Sequence, residues 1–295
     1  MENTTTSEIE IKSSMPYRMY VYRTVPVVNR IPPNRVRQYW YRSNTQLGIR
    51  GDLIQTMRPP RLIFATIPLG VVSLALAASS TRSAPILPEV RQQLSEGRRC
   101  VQAGSLDYAI AHANLVLVSD SLSVCLKFEH MSDAEKKTCT RAFDASLDAW
   151  QTALDNSIHF RRDEDPTKAD VIVRFRFDVR MGKEAVAGFT NWSRTIKMEK
   201  DRGIEASFKA DIQVRERDLN RSPMSFESMR QESEHEIGHI LGLDDSDLEG
   251  DLMGPLNIAH PVACPRDYEV AAVKKLREEA QQIKADALAQ QKGKS

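Results

Sequence analysis

Nothing in the bulk charge of this 295-residue chain marks a nucleic-acid binder. Lys and Arg total 41 against 40 Asp and Glu, a formal net charge of +1, where a strongly basic balance would be the electrostatic footprint. There is no Cys-x-x-Cys pair, which argues against a cysteine zinc site, and no cysteine precedes Cys100. No internal repeat occurs, so a solenoid or propeller is not expected. No EF-hand loop spacing is present. Long apolar runs are scarce, which excludes a multi-span membrane protein. What remains, with hydrophobic residues at 41% and charged residues at 27%, is the composition of a soluble globular protein. The length suits one large domain or two modest ones.

One apolar run, residues 62–78, divides two unlike regions. Residues 1–61 carry ten basic and four acidic residues, a net +6, so the remainder is −5. Met57, Arg58 and Arg61 lead into the run, and Ala75-Leu76-Ala77 supplies small residues at its end. Together they read as an export signal over 57–78, cut near Ala77 or Ala78, in a secreted protein. A second reading keeps the run uncleaved as a single membrane anchor, with the basic segment on the cytoplasmic side. A buried core helix is the third, opposed by Pro68, Gly70 and the flanking arginines. Residues 1–56 are broken by Pro16, Pro26, Pro32 and Pro33 and read as a basic leader without regular structure. All four cysteines follow the run, so an exported chain is expected to form two disulfides. The expected pairing is Cys125–Cys139 with Cys100–Cys264.

Residues 79–122 read as a polar linker and N-terminal lead, 123–285 as the folded domain, and 286–295 as a fraying tail. Within the domain, Val124, Leu126 and Phe128 alternate as a strand. Ser132-Asp133-Ala134-Glu135 is a capping box, and Phe143, Leu147, Trp150 and Leu154 give the helix after it an apolar face. Val171, Val173, Phe175 and Phe177 mark another strand. Ser222-Pro223 is expected to open a helix striped by Phe226, Met229, Ile237, Ile240 and Leu241. A last helix runs from Arg266, with Val270, Val273, Leu276, Ala280 and Ile283 on its packed face. The fold class expected is α+β.

The chemistry concentrates in His235-Glu236-Ile237-Gly238-His239 and the residues after it. Four-residue spacing on a helix stacks His235 and His239 on one face, within reach of one cation. Glu236 beside them is placed to take a proton from a metal-bound water. Gly242 is suited to end the helix and turn the chain, returning Asp245 as a third ligand. Two imidazoles, a carboxylate and a water make a tetrahedral catalytic zinc site with one open position. Asp244 is one residue short of that spacing and is the alternative ligand. Met253, in Leu252-Met253-Gly254-Pro255, supplies a thioether beneath the site. The acidic residues Asp244, Asp245, Asp247, Glu249 and Asp251 read either as a second, calcium site (Ca2+) or as a solvated loop.

This stretch resembles the metzincin zinc metalloproteases, whose pattern is H-E-x-x-H-x-x-G-x-x-H/D followed by a Met-turn. It is closest to the matrixin-like members, in which a serine, here Ser246, follows the third ligand. The likeness covers roughly 123–285, strongest at 235–255. Two departures stand out. Asp245 occupies the position where matrixins usually carry His, as in snapalysin-like members. The matrixin propeptide switch P-R-C-G-x-P-D is missing, and Arg98-Arg99-Cys100 lacks its flanks. The resemblance implies a mixed twisted sheet packed with a long first helix, an active-site helix and a C-terminal helix. It implies one catalytic Zn2+, Glu236 as general base and an extended polypeptide substrate on a sheet edge near Gly188 and Phe189. Pro255 is expected in the primed-side pocket. The expected protein is a monomeric secreted endopeptidase that binds no nucleic acid and meets a membrane only if 62–78 is uncleaved. The rival reading, a catalytically silent zinc protein that binds peptides or an envelope complex, leaves Glu236 without a purpose.

Overall fold

The computed structural model describes residues 82–294, apart from 119, 200–202 and 219. The basic leader, the apolar run and the expected cleavage site lie outside the described residues. Twelve elements follow in order: α1 (Pro88–Ala103), α2 (Leu106–Leu117), β1 (Ser121–Phe128), α3 (Asp133–Ala153), β2 (His159–Arg162), β3 (Val171–Arg176), β4 (Arg180–Met181), β5 (Glu184–Ala185), β6 (Gly188–Glu199), β7 (Gly203–Arg215), α4 (Phe226–Ile240) and α5 (Asp267–Lys294). Five strands form one mixed sheet in the order β2-β1-β3-β7-β6. Neighbours are parallel except β6, which runs antiparallel to β7 at the edge. This is the α+β architecture that the alternating and helical patterns predict.

The pleat sorts each strand into an apolar and a polar face. In β3, Val171, Val173 and Phe175 are buried while Ile172, Arg174 and Arg176 are half-exposed. The inward set joins Leu122 and Val124 of β1, Ile212 and Val214 of β7, Phe143 and Trp150 of α3, and Ile237 of α4 in the main core. On the opposite face Arg174 Nε donates to Asp211 Oδ2 at 2.7 Å and Arg176 Nη1 to Gln213 Oε1 at 2.9 Å. The capping box of α3 forms as expected: Ser132 Oγ accepts from the Glu135 N–H, and the Glu135 carboxylate accepts from the Ser132 N–H. The α3 helix then meets α4 through Trp150, whose Nε1 donates to the Glu234 carbonyl at 2.8 Å.

Three boundaries differ from the sequence reading. Residues 88–117 are helical, not linker. Pro88 stands in the first turn of α1, where its missing N–H is harmless. Val90 and Leu94 pack with Leu106, Ala109 and Ala113 of α2 and with Leu276, Ala280, Ile283 and Ala287 of α5, a second core. That core also holds the expected fraying tail, which is helical to Lys294, and Gln291 Nε2 donates to Asp107 Oδ1 at 2.7 Å. Helix α4 starts at Phe226, not at Pro223. The Met224 N–H is committed to the Glu216 carbonyl, and Ser225 supplies the cap, its Oγ accepting from the Ser228 N–H at 3.0 Å.

The expected disulfides are not formed; all four cysteines are free. Cys125 lies on the sheet face opposite the main core, near the Glu164 carbonyl, whereas Cys139 is inside that core against Met131 Sδ. The sheet separates them, and burial pushes the Cys139 thiol up to about 12. Cys100 lies in the last turn of α1, and the turn before it meets α5 at Glu279 and Ile283. Cys264 is exposed before the start of α5. At 1.5 Å per residue, that is about 18 Å along the helix, too far for a bridge.

Trp150 is fully buried. Trp150→Phe keeps most of its bulk but leaves the Glu234 carbonyl without its donor. We expect a loss of ~1–3 kcal/mol, read as a lower urea midpoint at unchanged m-value.

Candidate active site

The α4 helix carries its chemistry in a sequence buried almost without interruption from Ser228 to Ile240. His235 and His239 stand one turn apart, at 2% and 3% exposure. His235 Nδ1 donates to the Leu252 carbonyl at 3.0 Å, and His239 Nδ1 to the Leu243 carbonyl at 2.9 Å. With the proton held on Nδ1, each ring turns a lone pair on Nε2 to the same point. Burial lowers the His235 pKa to about 4, and lowers that of His239 as well, so both rings are neutral at pH 7.

Gly242 turns the chain at φ 103°, a backbone region that side chains rarely adopt. The turn brings Asp245 Oδ1 to 3.2 Å from His235 Nε2 and 3.5 Å from His239 Nε2. Ligand atoms of the three residues all lie within 4.8 Å of one another. Two neutral nitrogens and one carboxylate oxygen, each oriented by a backbone partner or a turn, suit a zinc ion with an open fourth position. Asp244 is not in this cluster; its Oδ1 accepts from the Asp245 N–H at 2.9 Å. Nor do Asp247, Glu249 and Asp251 make a second such cluster among the described residues. The Asp251 carboxylate accepts from Ser246 Oγ at 2.6 Å and closes the loop, so the structure adds nothing to the calcium reading.

Met253 is fully buried, its Sδ and Cε pressed on Gly238 between the two histidines, where a Cβ would collide with the sulfur. Two partners hold the turn around it. The Met253 carbonyl accepts from the Ser246 N–H at 2.7 Å, and the Met253 N–H donates to Glu269 Oε1 at 2.8 Å. Pro255, two residues on, is buried. Gly188 and Phe189 open the edge strand β6, Gly188 buried and Phe189 half-buried.

The inner face of β6 lies along α4. Thr190 Oγ1 donates to Glu236 Oε2 at 2.5 Å, the Trp192 ring lies 6.4 Å from that of His239, and Arg194 Nη2 donates to the Ile240 carbonyl at 3.2 Å. Arg194 thus places a cation at the negative end of the helix. A Cβ at position 188 would meet Glu232 Oε1 at 2.6 Å and Glu236 Oε1 at 2.9 Å, so both carboxylates crowd this glycine. Burial raises the Glu236 pKa well above the carboxylate range, and the neighbouring Glu232 adds to the rise. Burial likewise pushes Glu232 up to about 8.

The sequence reading did not single out Thr190, Glu232 or Glu269 as site residues. Glu269 carries a legible signal, a glutamate at the third position of a helix, and its Oε2 does accept from the Arg266 N–H at 2.7 Å. Its second role, holding the Met253 turn, depends on where α5 docks. Glu232 precedes Glu236 by four residues on α4, a spacing that puts both on one helix face, whereas Thr190 meets Glu236 only through packing of β6 on α4.

In the metal-free protein, Glu232 binds its proton more tightly folded (pKa about 8) than unfolded (4.5). Its stabilising contribution is complete below pH 4.5 and is lost as pH rises to 8, at up to ~1.4 kcal/mol per pH unit. Glu232→Gln should flatten this fall, measured by urea titrations with chelator present. Identical pH slopes for the two proteins would refute the assignment.

The family model for the matrixins matches residues 120–275. No curated protein matches the chain.

Proposed function

The chain belongs to the matrixin family, and on that premise we propose that it is a zinc-dependent endopeptidase in which His235, His239 and Asp245 hold the metal. The convergence of these three side chains within 4.8 Å carries the reading. Zinc bound there supplies a Lewis acid for the scissile carbonyl and acidifies water.

The chain's own residues supply the rest. Glu236 takes a proton from the attacking water on its carboxylate and returns it to the leaving amine. Thr190 fixes one oxygen of that carboxylate, so the proton is exchanged at a set position. The outer edge of β6 has no strand partner among the described residues, and an extended polypeptide pairs there by adding a strand. Met253 packs on Gly238 of the helix that carries His235 and His239. Residues 57–78 act as the export signal of a secreted protein, and N-terminal sequencing of the mature chain should begin near Ala78.

Metal analysis joined to a casein or peptide assay tests the reading. Glu236→Gln should retain zinc yet lose about 10²–10⁴-fold in kcat/KM. A variant with undiminished hydrolysis overturns Glu236 as the base, and a wild type that holds zinc without cleaving anything favours a silent binding protein. Asp245→Ala should lose zinc while Asp244→Ala keeps it; the reverse result reassigns the third ligand.

A further inference from the structure

The loop that returns Asp245 is held from outside by the segment that precedes α1. The Leu87 N–H donates to the Gly242 carbonyl at 3.0 Å, and the Asp244 N–H donates to the Pro85 carbonyl at 3.0 Å. Between these two bonds Ile86 pairs antiparallel with Leu243. This short ladder grips the peptide groups on both sides of Leu243, whose own carbonyl accepts from His239 Nδ1 at 2.9 Å. Leu87 is fully buried and Ala84 is 4% exposed, so the strap is seated in both cores. A Cβ at Gly242 would meet Leu276 at 3.0 Å and Val90 at 3.4 Å, so the loop lies against α5 and α1 as well.

We propose that residues 84–87 are a positioning element for the metal site, holding the Gly242–Asp245 loop in the geometry that binds zinc. The inference rests on the zinc reading above. The strap lies outside the matrixin match at 120–275. Two orienting contacts depend on it: the carbonyl that sets the His239 ring, and the backbone that delivers the Asp245 carboxylate. Loss of a group that orients a metal ligand costs roughly 10–100-fold in metal affinity. By linkage, zinc in turn tightens the strap.

The test uses two variants of the full chain. Leu87 has φ −52°, a value that proline adopts, so Leu87→Pro deletes the donor without forcing the backbone. Leu87→Ala removes the same buried side chain but keeps the N–H. Competition with a chromophoric chelator should show Leu87→Pro holding zinc about tenfold more weakly than Leu87→Ala. Equal zinc dissociation constants reduce the strap to packing and overturn the proposal. Hydrogen exchange on the wild type needs no variant: the Leu87 and Asp244 amides should exchange more slowly once zinc is added, and rates unmoved by zinc overturn the proposal independently. A wild type that takes up no zinc overturns the endopeptidase reading itself.

Discussion

Two backbone carbonyls, those of Leu243 and Leu252, orient the imidazoles of His239 and His235. An imidazole on a helix can rotate about its side-chain bonds, and the partner of Nδ1 decides where Nε2 points. Both carbonyls belong to the irregular chain after α4, which would move without support. Glu269 holds the Leu252–Met253 peptide from α5, and the 84–87 strap holds Leu243 from the other side. Each support fixes a peptide group whose carbonyl orients one of the two imidazoles.

The α4 helix concentrates buried titratable groups beyond what two ligands and a base require. Glu232, Glu234, His235, Glu236 and His239 are all nearly inaccessible, and burial of charge is unfavourable without partners. The strain is distributed. Arg230 Nε donates to Glu234 Oε1 at 2.6 Å, and Trp150 caps a carbonyl of the same turn. Arg194 binds the helix end, stacked on Trp192 and Phe208, and burial lowers its own pKa only to about 10, so it stays cationic. The raised pKa values of Glu232, Glu234 and Glu236 are what remains uncompensated. A helix so loaded forms because α3, β6 and the Met253 turn pack around it, since its intrinsic preference is modest.

Legibility followed the range of each interaction. The stripe and spacing of 235–239 are local, because a helix places residues four apart together wherever it sits. Alternation in 171–175 is equally local and marked a strand. By contrast, α1 shows its apolar face only against α2 and α5, so Val90 and Leu94 among polar neighbours read as linker. Strands β6 and β7 extend well past the short segments visible at 188–190 and 210–214, because each supplies the other's ladder over twelve paired residues. The cysteine pairing failed for a related reason: an even count carries no information about which side of a sheet each thiol occupies.

From the sequence alone came the candidate ligand pair of one helix, the turn at Gly242, the Met253 motif and the α+β class, all of which rest on spacing along the chain. Tertiary structure decided which groups surround them. Thr190 holds Glu236 from β6, Glu269 steadies the Met253 turn, and the strap at 84–87 grips the Asp245 loop from more than 150 residues away. Those contacts join segments remote in sequence, and no periodicity records them, because remote partners are chosen by packing and not by the backbone geometry that produces a repeat.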